Sequence, residues 1–309
     1  MIQEFEFKDH EEWLAIRSKY IGGSDAGAVI GLNPYKSRYS LWAEKTGKVP
    51  GFEGNIATKV GSYLEELVAK MFEEETGKKV RRKNRTMVND IYPFACANID
   101  RAVIGEKALL EIKTTTSIPI MKQLRNTEFP AAYYAQVVHY LAVTGLEKAY
   151  LAVLVNCREL KIFTLDRDQA EIDALMEAEK AFWEYVEKDI EPGVDGSDAT
   201  SDAILARYPE STDKNVDLIG YETELMEYME LSKRIKELTA LKDEKANIIK
   251  DFMREAGSGT SRDYKVSYKT SSRKTFDDKK FHEEHGSINL EPYYKVSSSR
   301  RFTVTKKGE

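Results

Sequence analysis

Residues Asn98–Thr116, with the sequence NIDRAVIGEKALLEIKTTT, constrain the fold of this chain more than any other stretch. The apolar run ALLEIK follows a turn-forming IGEK, which predicts a β-hairpin. Alternation along the second strand places Glu111 and Lys113 on one face and Ile112 on the other. Since the hairpin can bring Asp100 beside them, two carboxylates and one ammonium group are expected to converge next to buried apolar residues.

This set of side chains has a chemical use. Carboxylate oxygens are ligands that Mg²⁺ prefers, and a bound metal lowers the pKa of its water and stabilises charge on a phosphoryl group. A nearby lysine can orient the attacking water and offset negative charge. The same D…ExK pattern also occurs on surface hairpins that carry only a salt bridge, which is the commoner interpretation for an isolated hairpin.

Composition limits the class of protein. The 309 residues are 41% hydrophobic and 32% charged, which allows a sizeable core. No apolar run approaches the length of about 18 residues that a membrane span needs, and the N-terminus lacks the basic and apolar regions of a signal peptide. Cys96 and Cys157 are the only cysteines, which fits a reducing compartment and excludes a four-cysteine metal site within one chain.

The charge is unevenly distributed. The chain has a net charge of −5, but residues 261–309 hold 12 Lys or Arg and 7 Asp or Glu, a local +5 that leaves the first 260 residues at −10. A basic tail on an acidic body favours contacts with phosphates or with a partner surface. A solvated tail without a partner is an equally good interpretation.

A glycine-rich turn lies between Arg17 and Lys36. Two glycines precede Ser24, which is expected to N-cap a helix through residue 30. The N-terminus of a helix exposes backbone N–H groups and the positive end of the helix dipole, so with Arg17 just before it this turn is a candidate anion site. An ordinary capped helix is the alternative.

Two further helices carry candidate site residues. Residues 58–76 have helical apolar spacing and end at Gly77, and either Glu65 or Glu66 near the start could aim at the hairpin carboxylates. Solvent-facing glutamates are the alternative.

Residues 130–145 form the second of these helices, with proline near the first turn and glycine at the end. Tyr133, Gln136 and Tyr140 share one face by their spacing, which makes them site candidates. His139 is interpreted as a histidine with a structural hydrogen-bonding role.

The remaining patterns complete an α/β fold, with a mixed sheet flanked by helices. We expect helices at 9–17, 40–45 and 168–188, two strands within 79–97, an irregular segment at 119–129, a buried strand at 148–155 and an edge strand at 160–165. A linker at 192–197 separates domain 1–195 from an appendage, 196–309. The appendage should contain a charged helix at 221–255 and short strands at 264–268, 293–296 and 301–305.

Several motifs follow one another along the chain: R-x6-S-D…G-L-N-P-Y, G-x-x-x-E in a helix, N-x-D…L-E-I-K-T and Y-x-x-Q-V-x-H-Y-L-A-V-T-G. Through them, residues 10–190 resemble the YqaJ-type viral recombinases, which belong with the lambda-type exonucleases of the PD-(D/E)XK nuclease superfamily. The resemblance implies an α/β (α+β) restriction-endonuclease-like core in residues 1–195, with a C-terminal helical and small β appendage of open role. Ile99 stands where the superfamily name has proline, which the chemistry tolerates because the Asp side chain carries it.

The resemblance also implies a function. It implies a metal-dependent 5′-to-3′ exonuclease on linear double-stranded DNA, which leaves 3′ single strands for recombination by a phage-type annealing protein. Mg²⁺ is the implied cofactor, with Mn²⁺ as a substitute, and a ring-shaped homotrimer around DNA is the implied assembly. A cytoplasmic location in a bacterial host, with phage or prophage origin, goes with this function.

The family's functional residues match positions of this chain. The metal ligands match Asp100, Glu111, Glu65 and the backbone carbonyl of Ile112; the lysine beside the attacking water matches Lys113; the active-site glutamine matches Gln136; and the residues holding the 5′-phosphate match Arg17 and Ser24. Two alternatives remain, a structure-specific endonuclease of the same fold and a non-catalytic recombination adaptor that binds an annealing protein through residues 200–309. The intact acidic pair and lysine argue against the adaptor.

Overall fold

The computed structural model describes residues 1–52, 54–126, 128–286, 288–295 and 299–306. The chain forms two compact units, Met1–Tyr208 and Pro209–Glu309. The elements of the first unit, in chain order, are β1 (Ile2–Phe5), α1 (His10–Arg17), β2 (Ile21–Gly22), α2 (Gly23–Val29), α3 (Arg38–Lys45), α4 (Ile56–Thr76), β3 (Val80–Arg82), β4 (Thr86–Asn89), β5 (Tyr92–Ala97), β6 (Arg101–Val103), β7 (Ala108–Thr115), α5 (Ile118–Arg125), α6 (Ala131–Thr144), β8 (Lys148–Val155), β9 (Glu159–Asp166), α7 (Gln169–Glu187) and α8 (Asp198–Arg207).

The strands of the first unit form two sheets. The larger sheet has the order β3-β6-β7-β8-β9, and the smaller one has the order β1-β4-β5-β2. Strands β6 and β7 pair antiparallel, which confirms the predicted hairpin, whereas β7 and β8 pair in parallel along eight residues of each strand. The larger sheet is therefore mixed, as predicted, and β8 lies inside it with β9 at the edge.

The alternation of side chains along β7 divides the core. Leu109 packs into a cluster that includes residues of α6 and α7, whereas Leu110 and Ile112 pack with Val68 and Phe72 of α4. Because successive side chains of a strand point to opposite faces, Glu111 and Lys113 lie on the same face as Leu109. The predicted arrangement of the hairpin is confirmed.

Helix α4 crosses the opposite face of β7. Its apolar stripe is buried there, Asn55 caps its first turn through the Thr58 N–H, and Gly77 ends it with φ at 70°. A Cβ atom on Gly61 would lie 3.4 Å from Thr114 Oγ1 of β7, an ordinary contact distance, which shows that the helix backbone approaches the strand closely here. This approach brings Glu65 towards the hairpin.

The structure differs from the sequence prediction in three places of this unit. Residues 79–97 hold three strands, because the basic segment before residue 86 separates β3 from β4. The segment predicted as irregular contains the helix α5, which begins with Pro119 in its first turn. Ser24 does not cap α2; Gly22 is the N-cap residue, and the Asp25 carboxylate accepts a hydrogen bond from its N–H at 3.1 Å.

The first unit extends past residue 195, where the predicted domain ends. Helix α8 belongs to it: Thr200 Oγ1 donates to Ser37 Oγ at 2.7 Å, and the Arg207 guanidinium lies over the rings of Tyr39 and Trp42. These contacts with α3 place the division after Tyr208.

The second unit contains α9 (Glu222–Met253), β10 (Ser258–Thr260), β11 (Lys265–Ser267), α10 (Asp278–Glu284) and a 3₁₀ turn at Glu291–Tyr293. The charged helix and the 264–268 strand were predicted, while β10 and α10 were not. The predicted strand at 293–296 is wrong where it can be described, since Tyr293 closes the 3₁₀ turn, and Val296 lies outside the described residues. Within 301–305 the described backbone forms no strand.

Candidate active site

Asp100 and Glu111 converge at the hairpin, as the sequence predicts. Asp100 precedes β6, and its Oδ2 accepts a hydrogen bond from the Ile112 N–H at 2.7 Å. Burial, followed by repulsion from Glu111, raises the pKa of the Asp100 carboxyl well above its ordinary value. Two carboxylates that repel each other in this way are therefore an arrangement that a cation would stabilise.

Glu111 has one satisfied oxygen and one without a partner. Its side chain is 2% exposed, and Oε1 accepts hydrogen bonds from Lys113 Nζ at 2.6 Å and from Gln136 Nε2 at 2.7 Å. Its Oε2 is buried and has no hydrogen-bond partner among the residues that the structure describes. A buried carboxylate oxygen is costly to leave unpaired, so this atom points to a ligand.

Lys113 is charged in this environment. Burial lowers the pKa of Lys113, but the attraction of Glu111 and Asp100 outweighs it, so the pKa is raised. The ammonium group also lies 5.7 Å from the centre of the Tyr133 ring. The lysine is thus a proton donor and a positive charge at the site, and it is not a base.

Helix α6 supplies the groups that surround the hairpin carboxylates. Gln136 Nε2 donates to Glu111 Oε1 and also to the Tyr140 hydroxyl, at 2.9 Å. Burial, followed by repulsion from Glu111 and Asp100, raises the pKa of Tyr140 well above its ordinary value. The predicted face of Tyr133, Gln136 and Tyr140 therefore faces the site.

His139 points away from the site and has partners. Its Nδ1 lies 2.8 Å from Glu179 Oε1, and its Nε2 lies 2.9 Å from the Cys96 carbonyl. A nitrogen that faces a carbonyl must carry the proton, so Nε2 is protonated. Both side chains are fully buried, and they tie α6 to α7, which agrees with the structural role expected for this histidine.

Glu65 lies near the carboxylates but is held by arginine. It pairs with Arg101, a 3% exposed side chain that also donates to Glu66 Oε2 at 3.0 Å and to the Asp100 carbonyl at 2.8 Å. Among the described residues, no three carboxylate, imidazole or thiol side chains come together as a metal-binding group. Of the three expected carboxylate ligands, Asp100 and Glu111 thus face each other, whereas Glu65 is paired with Arg101. Arg101 was not predicted, although it directly follows Asp100.

A second polar cluster lies at the start of α2. Arg17 Nη2 donates to Ser24 Oγ, so the structure brings together the two residues expected at the 5′-phosphate. Asp25, not predicted, is 3% exposed and sits between three cations, with Lys45 Nζ at 3.0 Å and both Arg17 Nη2 and Lys36 Nζ at 3.8 Å. Burial raises the pKa of Asp25, but these cations outweigh it and hold the pKa below its ordinary value.

The cluster borders a cavity of about 570 Å³, whose lining includes Trp13, Arg17, Lys36 and Phe52. Within the cluster the cations outnumber the carboxylates. Arg17, Lys36 and Lys45 face Asp25, and the second acid, Glu44, pairs with Lys36 at 2.6 Å. An excess positive charge beside exposed apolar walls is suited to a phosphate that carries a nucleoside. Asp25 and Lys36 were not predicted as site residues. The sequence signal for each was its position, since Asp25 directly follows Ser24 and Lys36 directly follows Asn33-Pro34-Tyr35.

Tyr140 connects the two clusters. A Cβ atom on Gly23 would lie 2.4 Å from Tyr140 Cε1, so only glycine lets the ring pass beneath the start of α2. The same tyrosine accepts the hydrogen bond from Gln136 described above. The anion cluster and the carboxylate pair are thus adjoining parts of one site.

Comparison with known proteins identifies the family. A family model described as the YqaJ-like viral recombinase domain matches residues 12–147. A Bacillus subtilis (strain 168) protein, named Uncharacterized protein YqaJ, is 38% identical over 300 residues, which are 95% of this chain and 93% of that protein. The chain belongs to the YqaJ-like family of viral recombinases.

Other relatives of this YqaJ-like chain match less of it. Protein D345L of African swine fever virus (strain Badajoz 1971 Vero-adapted) is 38% identical over 72 residues, 22% of this chain and 21% of that protein. The alkaline exonuclease LHK-Exo from Laribacter hongkongensis superposes with a TM-score of 0.51 at 22% identity, covering 59% of this chain and 95% of the exonuclease. The structure of LHK-Exo in complex with dAMP gives the same TM-score at 21% identity and the same coverage.

The likeness to LHK-Exo shows that the YqaJ-like chain shares the fold of that exonuclease, with a mixed sheet flanked by helices as predicted. Among the described residues, no helix has the length and apolar character needed to cross a membrane.

Proposed function

We propose that this protein is a metal-dependent exonuclease that degrades linear double-stranded DNA from the 5′ end. The observation that carries the proposal is the convergence of Asp100, Glu111 and Lys113, with one buried Glu111 oxygen lacking a partner among the described residues. Membership of a viral recombinase family and a fold shared with an alkaline exonuclease support the same class of reaction.

The carboxylate pair fits a hard divalent cation. A cation would relieve the repulsion that raises the pKa of Asp100 and would give Glu111 Oε2 a partner. We assign Mg²⁺, with Mn²⁺ as a substitute, to the Asp100 and Glu111 carboxylates and the Ile112 carbonyl. Glu65 would become a further ligand only if its ion pair with Arg101 were broken. When bound, the cation would supply Lewis acidity at the scissile phosphate.

The chain's own groups provide positioning and charge. The Lys113 ammonium can donate a hydrogen bond to a water aimed at the phosphorus and can offset charge developing on the phosphate. Gln136 fixes Glu111 through Oε1, which leaves Oε2 free, and the Ile112 N–H fixes the orientation of Asp100. Each acidic side chain is thus held by a donor before substrate arrives.

End dependence would come from the anion cluster. Arg17 and Ser24 would bind the 5′-phosphate, with Lys36 adding charge and Asp25 keeping the cations in place. Most other contacts would go to the DNA backbone, so cutting should show little sequence preference and binding should be salt-sensitive. We also propose that the 3′ strand is delivered to an annealing protein and that the chain assembles into a homotrimeric ring.

Digestion of linear duplexes with 5′-phosphate or 5′-hydroxyl ends, beside a closed circle, tests the proposal. With Mg²⁺ we expect loss of the linear forms alone, faster with 5′-phosphate, and no loss in EDTA. Cutting of the circle would show an endonuclease instead, and bound but uncut DNA in every arm would favour an adaptor.

A matched pair of variants tests the site itself. Lys113→Ala should lower cleavage at least about 100-fold, the cost of removing one preorganised donor, while DNA binding in EDTA is retained. Lys148→Ala, on the neighbouring strand and paired with Asp166 at 3.2 Å, should leave cleavage unchanged. Retained cutting by the Lys113 variant would contradict the assignment.

A further inference from the structure

A basic and aromatic surface lies in the second unit, in residues 262–276. These residues contain β11, which pairs with β10, and the segment after it, and they are here called the hairpin tail after this second hairpin. These residues contain five Lys or Arg and one Asp, a local charge of +4, whereas residues 1–260 carry −10. The cations are all exposed, and none pairs with a carboxylate in the part of the chain that the structure describes; they are Arg262, Lys265, Lys269, Arg273 and Lys274. Exposed positive charge without a carboxylate partner among the described residues is therefore concentrated in this segment.

Two aromatic rings stand among these cations. Tyr264 and Tyr268 flank β11 on either side, and they are 75% and 50% exposed. The ammonium group of Lys250 lies over the Tyr268 ring, 5.9 Å from its centre, and places a positive charge at one face of the ring. Tyr264 and Tyr268 are each followed directly by a lysine, so each ring is coupled to a phosphate-binding group.

The segment after β11 offers further donors. Residues 269–275, with the sequence KTSSRKT, have no regular secondary structure and are exposed. No backbone N–H of this segment donates to another group within the described ranges. Free amides, four hydroxyl groups and three cations in seven residues match the groups that contact phosphate and sugar oxygens.

We propose that the hairpin tail binds single-stranded DNA through stacking on Tyr264 and Tyr268 and through its cations. Exposed rings in a positively charged groove or segment are the means by which proteins hold single strands without sequence preference. A duplex keeps its base faces stacked inside, so it could use the cations but not the rings. The inference rests on the proposed function for its biological sense, because the ligand is then the strand that digestion leaves.

The test uses a ligand that the active site cannot hold by an end. The full chain with Lys113→Ala is mixed, in EDTA, with a fluorescently labelled single-stranded circle, and affinity is measured by anisotropy. We expect binding of the circle, with affinity reduced about tenfold or more for each ring removed in Tyr264→Ala and Tyr268→Ala. The double variant Tyr264→Phe/Tyr268→Phe keeps both rings and should bind as the parent does, which separates stacking from a folding defect.

Salt dependence tests the cations. Arg273→Ser/Lys274→Ser should reduce the slope of log affinity against log salt by about 1.4, at about 0.7 per phosphate contact with a single strand. Lys233→Ser/Lys236→Ser removes the same charge from exposed positions of α9 and should change the slope little.

Three results would overturn the inference: no binding of the single-stranded circle, equal binding of a closed duplex circle, or an equal loss in the α9 control. None of them bears on digestion of a linear duplex. Failure of digestion with a bound single-stranded circle would remove the exonuclease proposal and leave this one standing.

Discussion

Asp25→Asn removes a buried negative charge from the midst of Arg17, Lys36 and Lys45. The asparagine keeps the shape of the side chain and can still accept the hydrogen bond from the Gly22 N–H, but the three cations lose their common partner. Breaking a buried ion pair by removing one member typically costs about 3–5 kcal/mol. For a unit of this size we expect a fall in melting temperature of roughly 6–20 °C.

Denaturant unfolding at neutral pH, followed by circular dichroism, measures the loss directly. The matched control is Asp189→Asn, which breaks a pair with Lys48 at 2.7 Å whose carboxylate is 60% exposed. Exposed pairs contribute about 0–1 kcal/mol, so the control should unfold nearly as the parent does. A loss below about 1 kcal/mol for Asp25→Asn, or a loss equal to the control, would refute the reasoning.

The difference in unfolding free energy between the parent and Asp25→Asn should become smaller in acid. Because the pKa of Asp25 is lowered in the folded state, its stabilisation is complete above the unfolded value of about 3.9 and is lost as pH falls towards the folded value. The gap between the parent and Asp25→Asn should therefore be constant near neutral pH and should shrink in acid below about pH 4. A gap that widens in acid would contradict the assigned charge.

Three further substitutions, one of them with a matched control, test the geometry of the site and the packing of the helix α6 that lines it. Gly23→Ala should displace the Tyr140 ring, cost about 1–3 kcal/mol of unfolding free energy by overpacking, and slow digestion of linear duplex in a gel assay. Arg101→Gln should cost about 3–5 kcal/mol in urea unfolding, whereas Arg82→Gln, whose side chain is 58% exposed, should cost less than about 1 kcal/mol. Glu179→Gln breaks the fully buried pair between α6 and α7 and should lower the calorimetric melting temperature without changing the metal requirement of cleavage.

The hairpin was predictable because its information is local. Turn residues, alternation and a short apolar run specify β6 and β7 within one stretch, and alternation alone fixes which face Glu111 and Lys113 share. The helices α4, α6 and α7 were predictable for a similar reason, since helical apolar spacing repeats over several turns.

The contacts of Arg101 and Asp25 could not be predicted from the sequence. Each depends on side chains that are distant along the chain: Arg101 meets Glu65 across 36 positions, and Lys45 meets Asp25 across 20. Helix α5 was missed because proline and scattered polar residues suggested a loop. The cap of α2 was predicted wrongly because Ser24 is a good capping residue, and only the folded backbone shows that Gly22 is the N-cap and that Asp25 accepts the hydrogen bond from its N–H.

The parallel pairing of β7 with β8 has a consequence for the synthesis of the chain. All the acidic residues and the lysine of the proposed site are present once residue 113 has been made, but β7 gains its second neighbour only when β8 has been added. Gln136, which fixes Glu111, also comes later, in α6. Non-local pairing of this kind forms slowly, so an unfinished or truncated chain would carry the charges of the proposed site without their arrangement.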